Sequence, residues 1–390
     1  MLKSGTSTNT PQMWCFRMIR KSGIQIAVAL FSVCMGFLYL PCSGFCSETG
    51  AVVANTDTPR GASPIADDAA AFTAPPRHKG MALGLFRQEP NWNYNDFVVE
   101  IKALGASHVA VVVSNYMQTN EHNEIFDLEG FTAPMRTVEK TIRQVQKSGM
   151  KVFLFPILRV QDKSNGGWRG TLAPTDLDAF FKNYTQYILK YSRLAEKTQV
   201  ALMSIGSELS TMDVYTERWR DIIRAVRDAY HGPITYSANW DHYDKVLFFD
   251  DLDYLGVTGY FQLADTAEPV DVNPSVESLT HSWREIYFKL MRWQHRYNKP
   301  LIFTEVGYLS QKGAAARPWA EGANEKVDLE IQRRCYEAFI RVWDNEDRVM
   351  GVYFWNWFDW EGENDREYTP REKPAADEVK NWFSRQMSSR

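Results

Sequence analysis

The chain predicts a closed (β/α)8 TIM barrel, and three observations carry that prediction. Eight short apolar runs alternate with amphipathic helical patterns along roughly 310 residues, somewhat above the usual size of one barrel domain. The runs are continuously apolar rather than alternating, as strands covered on both faces must be. No glycine-rich phosphate turn follows the first run, which argues against an open doubly wound sheet.

In order, the runs are 81–86, 108–113, 152–158, 201–205, 234–238, 254–258, 301–304 and 349–355. Helical spacing of apolar residues fills about 93–104, 135–148, 175–195, 216–230, 276–297 and 326–345. A weak short pattern lies near 243–250, and a last helix is expected at about 375–387. Strand–helix alternation repeated eight times closes a parallel sheet on itself. The connections after the third, sixth, seventh and eighth runs are long and hold Trp168, Trp319 and Trp360. In such a barrel these connections build the functional face. Trp219, Trp283, Trp293, Trp343 and Trp382 fall inside helical patterns and read as packing residues.

The N-terminus has a different character. Residues 1–46 hold Lys3, Arg17, Arg20 and Lys21 and no acid, so the remainder carries a net −8 against −4 for the whole chain. Arg20 and Lys21 precede a largely apolar stretch, 24–40, giving a basic region followed by a hydrophobic one. Two readings stand: a cleaved signal peptide, or an uncleaved signal anchor attaching the protein to a membrane through 24–40. Either implies export, to a secreted, periplasmic or envelope-anchored location. Residues 47–78, rich in Ala, Thr, Pro and Asp, read as a flexible linker, and 79–390 as the barrel domain. A chain starting near Lys79 is therefore expected to fold. Four of the five cysteines, Cys15, Cys34, Cys42 and Cys46, lie in the leading segment. Cys335 alone belongs to the barrel, so no internal disulfide forms there, and it reads as a buried small residue.

Two glutamates carry the chemistry. Glu208 ends the run from Ala201, and Glu305 ends the run from Leu301. A carboxylate ending a buried parallel strand sits at the barrel mouth, where active sites are built. The bland alternative is that each glutamate merely ends a strand and meets solvent. Two of them on the fourth and seventh strands instead suit a retaining glycosidase, which needs one protonated carboxyl and one ionised carboxyl about 5–5.5 Å apart. Glu208 is then the acid/base, expected to be protonated at rest, and Glu305 the nucleophile, expected to be ionised. Thirteen tryptophans agree with a site that stacks on sugar rings. The acidic balance leaves no basic footprint for nucleic acid. No histidine or cysteine spacing suggests a metal site, and no cofactor is implied.

The order of motifs resembles the retaining (β/α)8 glycosidases with catalytic glutamates on strands 4 and 7, and more narrowly glycoside hydrolase family 113, the β-mannanases. The resemblance rests on Lys79-Gly80-Met81, Ile205-Gly206-Ser207-Glu208-Leu209, Thr304-Glu305-Val306-Gly307-Tyr308, Val352-Tyr353-Phe354-Trp355-Asn356-Trp357, and 368–374 ahead of the last helix. It covers roughly 79–388. It implies hydrolysis of β-1,4-mannosidic links in mannan or glucomannan. Many members of the wider clan place Asn before the acid/base, against the sugar 2-hydroxyl. Ser207 stands there instead, and a shorter donor is compatible with the axial 2-hydroxyl of mannose.

Strand ends supply the supporting residues. Tyr260 is placed to donate a hydrogen bond to Glu305 and hold it ionised. Asn115, Arg159, Asn239 and Trp240 follow strands and are expected to line the cleft. One of Trp355 and Trp357 is expected to form the floor of a sugar subsite, and Trp168 and Trp360 to add stacking surface from the loops. Two alternatives stay open: a β-1,4-glucanase or other clan glycosidase, and a cell-envelope polysaccharide-binding barrel without activity.

Overall fold

The structure is a computed structural model, and it describes residues 77–89, 92–164, 166–265, 273–320, 326–358 and 362–385. The expected signal segment, nearly all of the expected linker, and Trp360 lie outside the described residues.

Eight parallel strands close in sequence order: β1 (His78–Gly84), β2 (His108–Met117), β3 (Lys151–Val160), β4 (Leu202–Ser207), β5 (Ile234–Ala238), β6 (Tyr254–Thr258), β7 (Leu301–Val306) and β8 (Val349–Phe354), with β8 pairing back to β1. The expected TIM barrel is what the chain forms. Outside it run α1 (Tyr94–Ala103), α2 (Met135–Lys147), α3 (Leu177–Thr198), α4 (Thr216–Ala229), α5 (Val276–Tyr297), α6 (Leu329–Trp343) and α7 (Pro374–Ser384).

Where boundaries differ from the apolar pattern, local chemistry explains it. α3 and α6 start later than expected because Asp176 and Asp328 are their N-caps, accepting from the backbone N–H of Ala179 and Ile331. β2, β3 and β7 run past their apolar stretches through Asn115, Arg159 and Glu305, because ladder pairing does not require apolar side chains. At 243–250 there is no α-helix. Two 3₁₀ turns, Tyr243–Lys245 and Phe249–Asp251, cover that flank instead. Phe248 stacks on Trp219 at 5.1 Å and Phe249 meets Trp293 edge-on at 5.1 Å, so two aromatic plugs take the place of a helix.

The five helical tryptophans are fully buried between helices and barrel, as expected, and Cys335 is buried in α6. The barrel's lower end is closed by aromatic rings. His78 and His108 stack at 3.9 Å, and His78 Nδ1 lies 3.0 Å from the Tyr353 hydroxyl.

The first strand corrects the expected domain start. β1 begins at His78, and Arg77 before it is buried. Arg77 donates to the carbonyls of Val349 (2.7 Å), Trp343 (2.9 Å), Asp344 (2.8 Å) and Glu346. Two residues assigned to the linker therefore belong to the barrel, because a guanidinium at that point satisfies orphan carbonyls between α6 and β8.

Candidate active site

Glu208 follows the last residue of β4, where the pairing with β5 slips between Ser204 and Ser207. Such an irregularity bends a strand and re-aims its side chains. Gly206 has to be glycine, since a Cβ there would sit 2.8 Å from both the Tyr184 hydroxyl and the Tyr236 ring. Glu208 itself adopts φ +55°, a left-handed conformation that costs a non-glycine residue about 1 kcal/mol. Its N–H donates to the Ser237 carbonyl at 2.8 Å. The next N–H, of Leu209, donates to the Tyr236 hydroxyl at 2.9 Å, and that hydroxyl donates to buried Asp213. The strained residue is thus fixed from both sides.

The Glu208 side chain is buried and paired. Arg169 Nη2 donates to its Oε2 at 2.5 Å. Arg169 opens a 3₁₀ turn, Arg169–Thr171, in the loop after β3. Thr211, three residues beyond Glu208, ties that loop to its own by donating to the carbonyls of Gly170 (N–H, 3.3 Å) and Leu172 (Oγ1, 2.6 Å).

Glu305 lies within β7, also at slips in register: between Phe303 and Val306 against β8, and between Val257 and Thr258 against β6. Only 2% of the residue is exposed. The Tyr260 hydroxyl donates to Oε2 at 2.8 Å, and Oε1 is buried with no partner among the described residues. Burial pushes this carboxyl well above the usual carboxylate range, and the charge of Glu208 pushes it further. Arg169, the Tyr260 hydrogen bond and Arg159 pull in the opposite direction without overcoming burial. The two glutamates are therefore close enough to act on one another, as expected. Glu305, expected to be ionised, is the one that burial drives toward its protonated form, and Glu208 is the one bound to a guanidinium.

The other expected residues divide by where their side chains go. Ser207 is buried beside Glu208, and its Oγ has no partner among the described residues. Arg159 lies over the Phe86 ring at 4.4 Å and acts electrostatically on Glu305. Trp355 follows β8, its N–H bonded to Val306 next to Glu305 and its ring beside Phe86. Asn239 is buried after β5 and accepts from the Trp240 N–H at 3.0 Å. Trp240 stacks on Trp319 at 4.9 Å, and Trp168 is 36% exposed next to Arg169.

Asn115, expected in the cleft, is turned elsewhere, and so is Trp357, one of the two tryptophans of which one was expected there. Asn115 faces α3, accepting from the Tyr191 hydroxyl at 2.6 Å and donating to Asp127 at 2.5 Å. Tyr116, next along β2, pairs in register with Arg159, and side-chain alternation along the strand puts Asn115 on the opposite face. Trp357 donates its indole N–H to Glu100 of α1 at 2.8 Å, and Arg371 binds the same carboxylate. β8 has already ended at Phe354, so the alternation expected to orient Trp355 and Trp357 no longer applies there.

The profile of glycoside hydrolase family 113 matches residues 82–379. The chain belongs to glycoside hydrolase family 113. Among solved structures, a family 113 β-mannanase from Alicyclobacillus acidocaldarius in complex with ManMIm is 25% identical, with a TM-score of 0.69. That match covers 79% of this chain and 97% of the other. A family 113 β-1,4-mannanase at 22% identity has a TM-score of 0.70 over 80% of this chain and all of its own. A β-glucuronidase from Ruminococcus gnavus, 13% identical, shares the fold with a TM-score of 0.55 over 80% of this chain and 51% of its own. No curated protein matches.

Two residues of the family 113 domain escaped the sequence reading as site residues. Arg169 is a loop cation in Gly167-Trp168-Arg169-Gly170, and nothing local in the sequence says that it reaches Glu208. Trp319 was legible only as a loop aromatic; it is 43% exposed and extends the Trp240 face.

Proposed function

We propose that this family 113 glycoside hydrolase cleaves β-1,4-mannosidic links in mannan or glucomannan by a retaining double displacement. Glu305 attacks the anomeric carbon and displaces the leaving oxygen, while Glu208 gives that oxygen its proton. Glu208 then takes a proton from water, and the water opens the glycosyl–Glu305 ester with a second inversion. The observation that carries this reading is the pair itself: two buried, mutually interacting glutamates on opposite strands of one barrel mouth, Glu305 bonded to Tyr260. The substrate class is supported by the similarity to β-mannanases. Ser207 Oγ, buried and without a partner among the described residues next to Glu208, fits a donor or acceptor for a sugar hydroxyl. Trp168 on one side and the Trp240–Trp319 stack on another offer apolar faces to pyranose rings.

Export through residues 24–40, by a cleaved signal or an anchor, is part of the same proposal, since a polysaccharide substrate lies outside the cell. Reducing-sugar release from mannan, glucomannan, cellulose and xylan tests the substrate. Release confined to the first two is expected. Release from cellulose alone favours a β-1,4-glucanase, and binding without release favours a polysaccharide-binding barrel.

A further inference from the structure

Glu208 is the proposed proton donor, yet it is bound to a guanidinium. A carboxylate oxygen that accepts from arginine at 2.5 Å is stabilised in its ionised form. Glu305, the proposed nucleophile, is buried and driven the other way. The ligand-free geometry therefore pairs the proposed proton donor with a cation and leaves the proposed nucleophile buried, with none in contact among the described residues.

Several ionisable groups surround this pair. Arg159 at the end of β3 and Arg169 in the loop beyond it are cations that act on Glu305. Tyr260 after β6 feels both glutamates and is neutral, its phenol raised well above the ordinary value by burial and by their charge. Asp213 and Tyr236 lie beneath, behind the Leu209 N–H, and Asp213 is itself pushed up to about 7 by burial. Of these groups, Arg169 bonds Glu208 directly, and it stands on a short turn rather than on a strand.

Resting on the proposed retaining reaction, we infer that Arg169 is a positioning residue that decides which glutamate carries the shared proton. While Arg169 holds Glu208, the proton resides on Glu305. When Arg169 withdraws, the proton passes from Glu305 to Glu208, leaving one nucleophilic carboxylate and one acid, with the proton count of the pair unchanged. The turn that carries Arg169 follows directly on Trp168, whose indole is partly exposed and packs over Gly170. A pyranose stacked on that indole bears on the element that holds the ion pair. Sugar binding and activation of the acid are thereby linked.

The test reads protonation directly. The protein is labelled with carbon-13 at its glutamate side-chain carboxyls, and the two signals are assigned with Glu208→Gln and Glu305→Gln. In Arg169→Met, the Glu208 signal should titrate about 1–3 pH units higher than in the wild type, the range by which a neighbouring arginine lowers a carboxylate. Arg169→Lys, which keeps a cation on the turn, should stay near the wild type. Arg169→Gln, which removes the charge and keeps a hydrogen-bond donor, should rise as the methionine variant does and replaces it if that variant fails to fold. The alkaline limb of kcat/KM on manno-oligosaccharides should rise with the carboxyl signal. An unmoved Glu208 titration in Arg169→Met overturns the inference, as does a lysine variant that titrates like the methionine one. A moved titration in a protein that cleaves no glycan leaves the role of Arg169 standing and refutes the proposed activity instead.

Discussion

The Tyr260 hydroxyl donates to Glu305 Oε2 at 2.8 Å, joining the loop after β6 to the end of β7 inside the barrel mouth. The bond opposes the burial that drives Glu305 toward protonation, and it holds one oxygen of the carboxylate while the other has no partner among the described residues. A group that must be ionised to attack, and that is buried, depends on such a donor.

Tyr260→Phe removes that donor and nothing else of comparable size. A hydrogen bond to a charged acceptor contributes about 1.5–3 kcal/mol, so kcat/KM on mannan oligosaccharides should fall roughly 10- to 100-fold. The pH effect has a definite sign. In the proposed reaction the pair acts with one proton, inferred to rest on Glu305 in the ligand-free site. Without Tyr260 that carboxyl rises further, the pair keeps its proton to higher pH, and the alkaline limb of kcat/KM should move to higher pH. A pH–rate profile with the alkaline limb unmoved would contradict the role given to Tyr260.

The barrel was legible because strands buried on both faces must be continuously apolar, and a polar residue ending such a run is conspicuous. Glu208 and Glu305 announced themselves in that way. What the pattern did not disclose is which side of a strand a residue takes. Asn115 follows an apolar run as Arg159 follows another, yet Asn115 faces α3 and Arg159 faces the mouth. The slips in β4 and β7 that accompany the two glutamates leave no mark in an apolar run. Arg169 was hidden for a different reason: its partner lies 39 residues away, across two loops whose crossing is a property of the folded barrel.

Arg77 gives a stability prediction at the domain edge. Its guanidinium serves four backbone carbonyls of the α6–β8 junction. Arg77→Ala leaves those carbonyls partly unsatisfied in a buried place, a cost on the order of 2–4 kcal/mol. Chains starting at Arg77 and at Lys79 should therefore differ: the first keeps the midpoint of urea unfolding seen with the longer protein, and the second falls below it. Equal midpoints would show that the junction carbonyls find other donors.

The stacked histidines predict how stability responds to acid. Burial, with Lys151 adding to it, holds His78 down to about 4; burial, His78 and Lys151 hold His108 down to about 2. Both are neutral in the folded protein where the unfolded chain already binds protons. Stability is then full above pH 6.5 and is lost as pH falls toward 4, by on the order of 3 kcal/mol for His78 alone. Urea midpoints measured between pH 7 and 4.5 should fall more steeply for the wild type than for a His78→Asn, His108→Gln variant. Parallel slopes would mean that the pair accepts a proton without opening the barrel floor.

The sharpest prediction concerns the two carboxylates, because the proposed roles make them fail differently. Glu208→Ala and Glu305→Ala should each lower turnover by several orders of magnitude, with unfolding midpoints close to the wild type. Loss of Glu208 leaves the nucleophile in place, so aryl mannosides with good leaving groups still form the glycosyl–Glu305 ester. Azide then opens that ester faster than water unaided by a base, and the product is the β-glycosyl azide. Loss of Glu305 leaves a cavity on the face opposite the leaving group. Azide there attacks the anomeric carbon once, with inversion, and the product is the α-azide. Proton NMR of the azide products distinguishes the two at the anomeric signal. Near wild-type activity in both variants, or an inverted anomer from the native enzyme, would remove Glu208 and Glu305 from these roles.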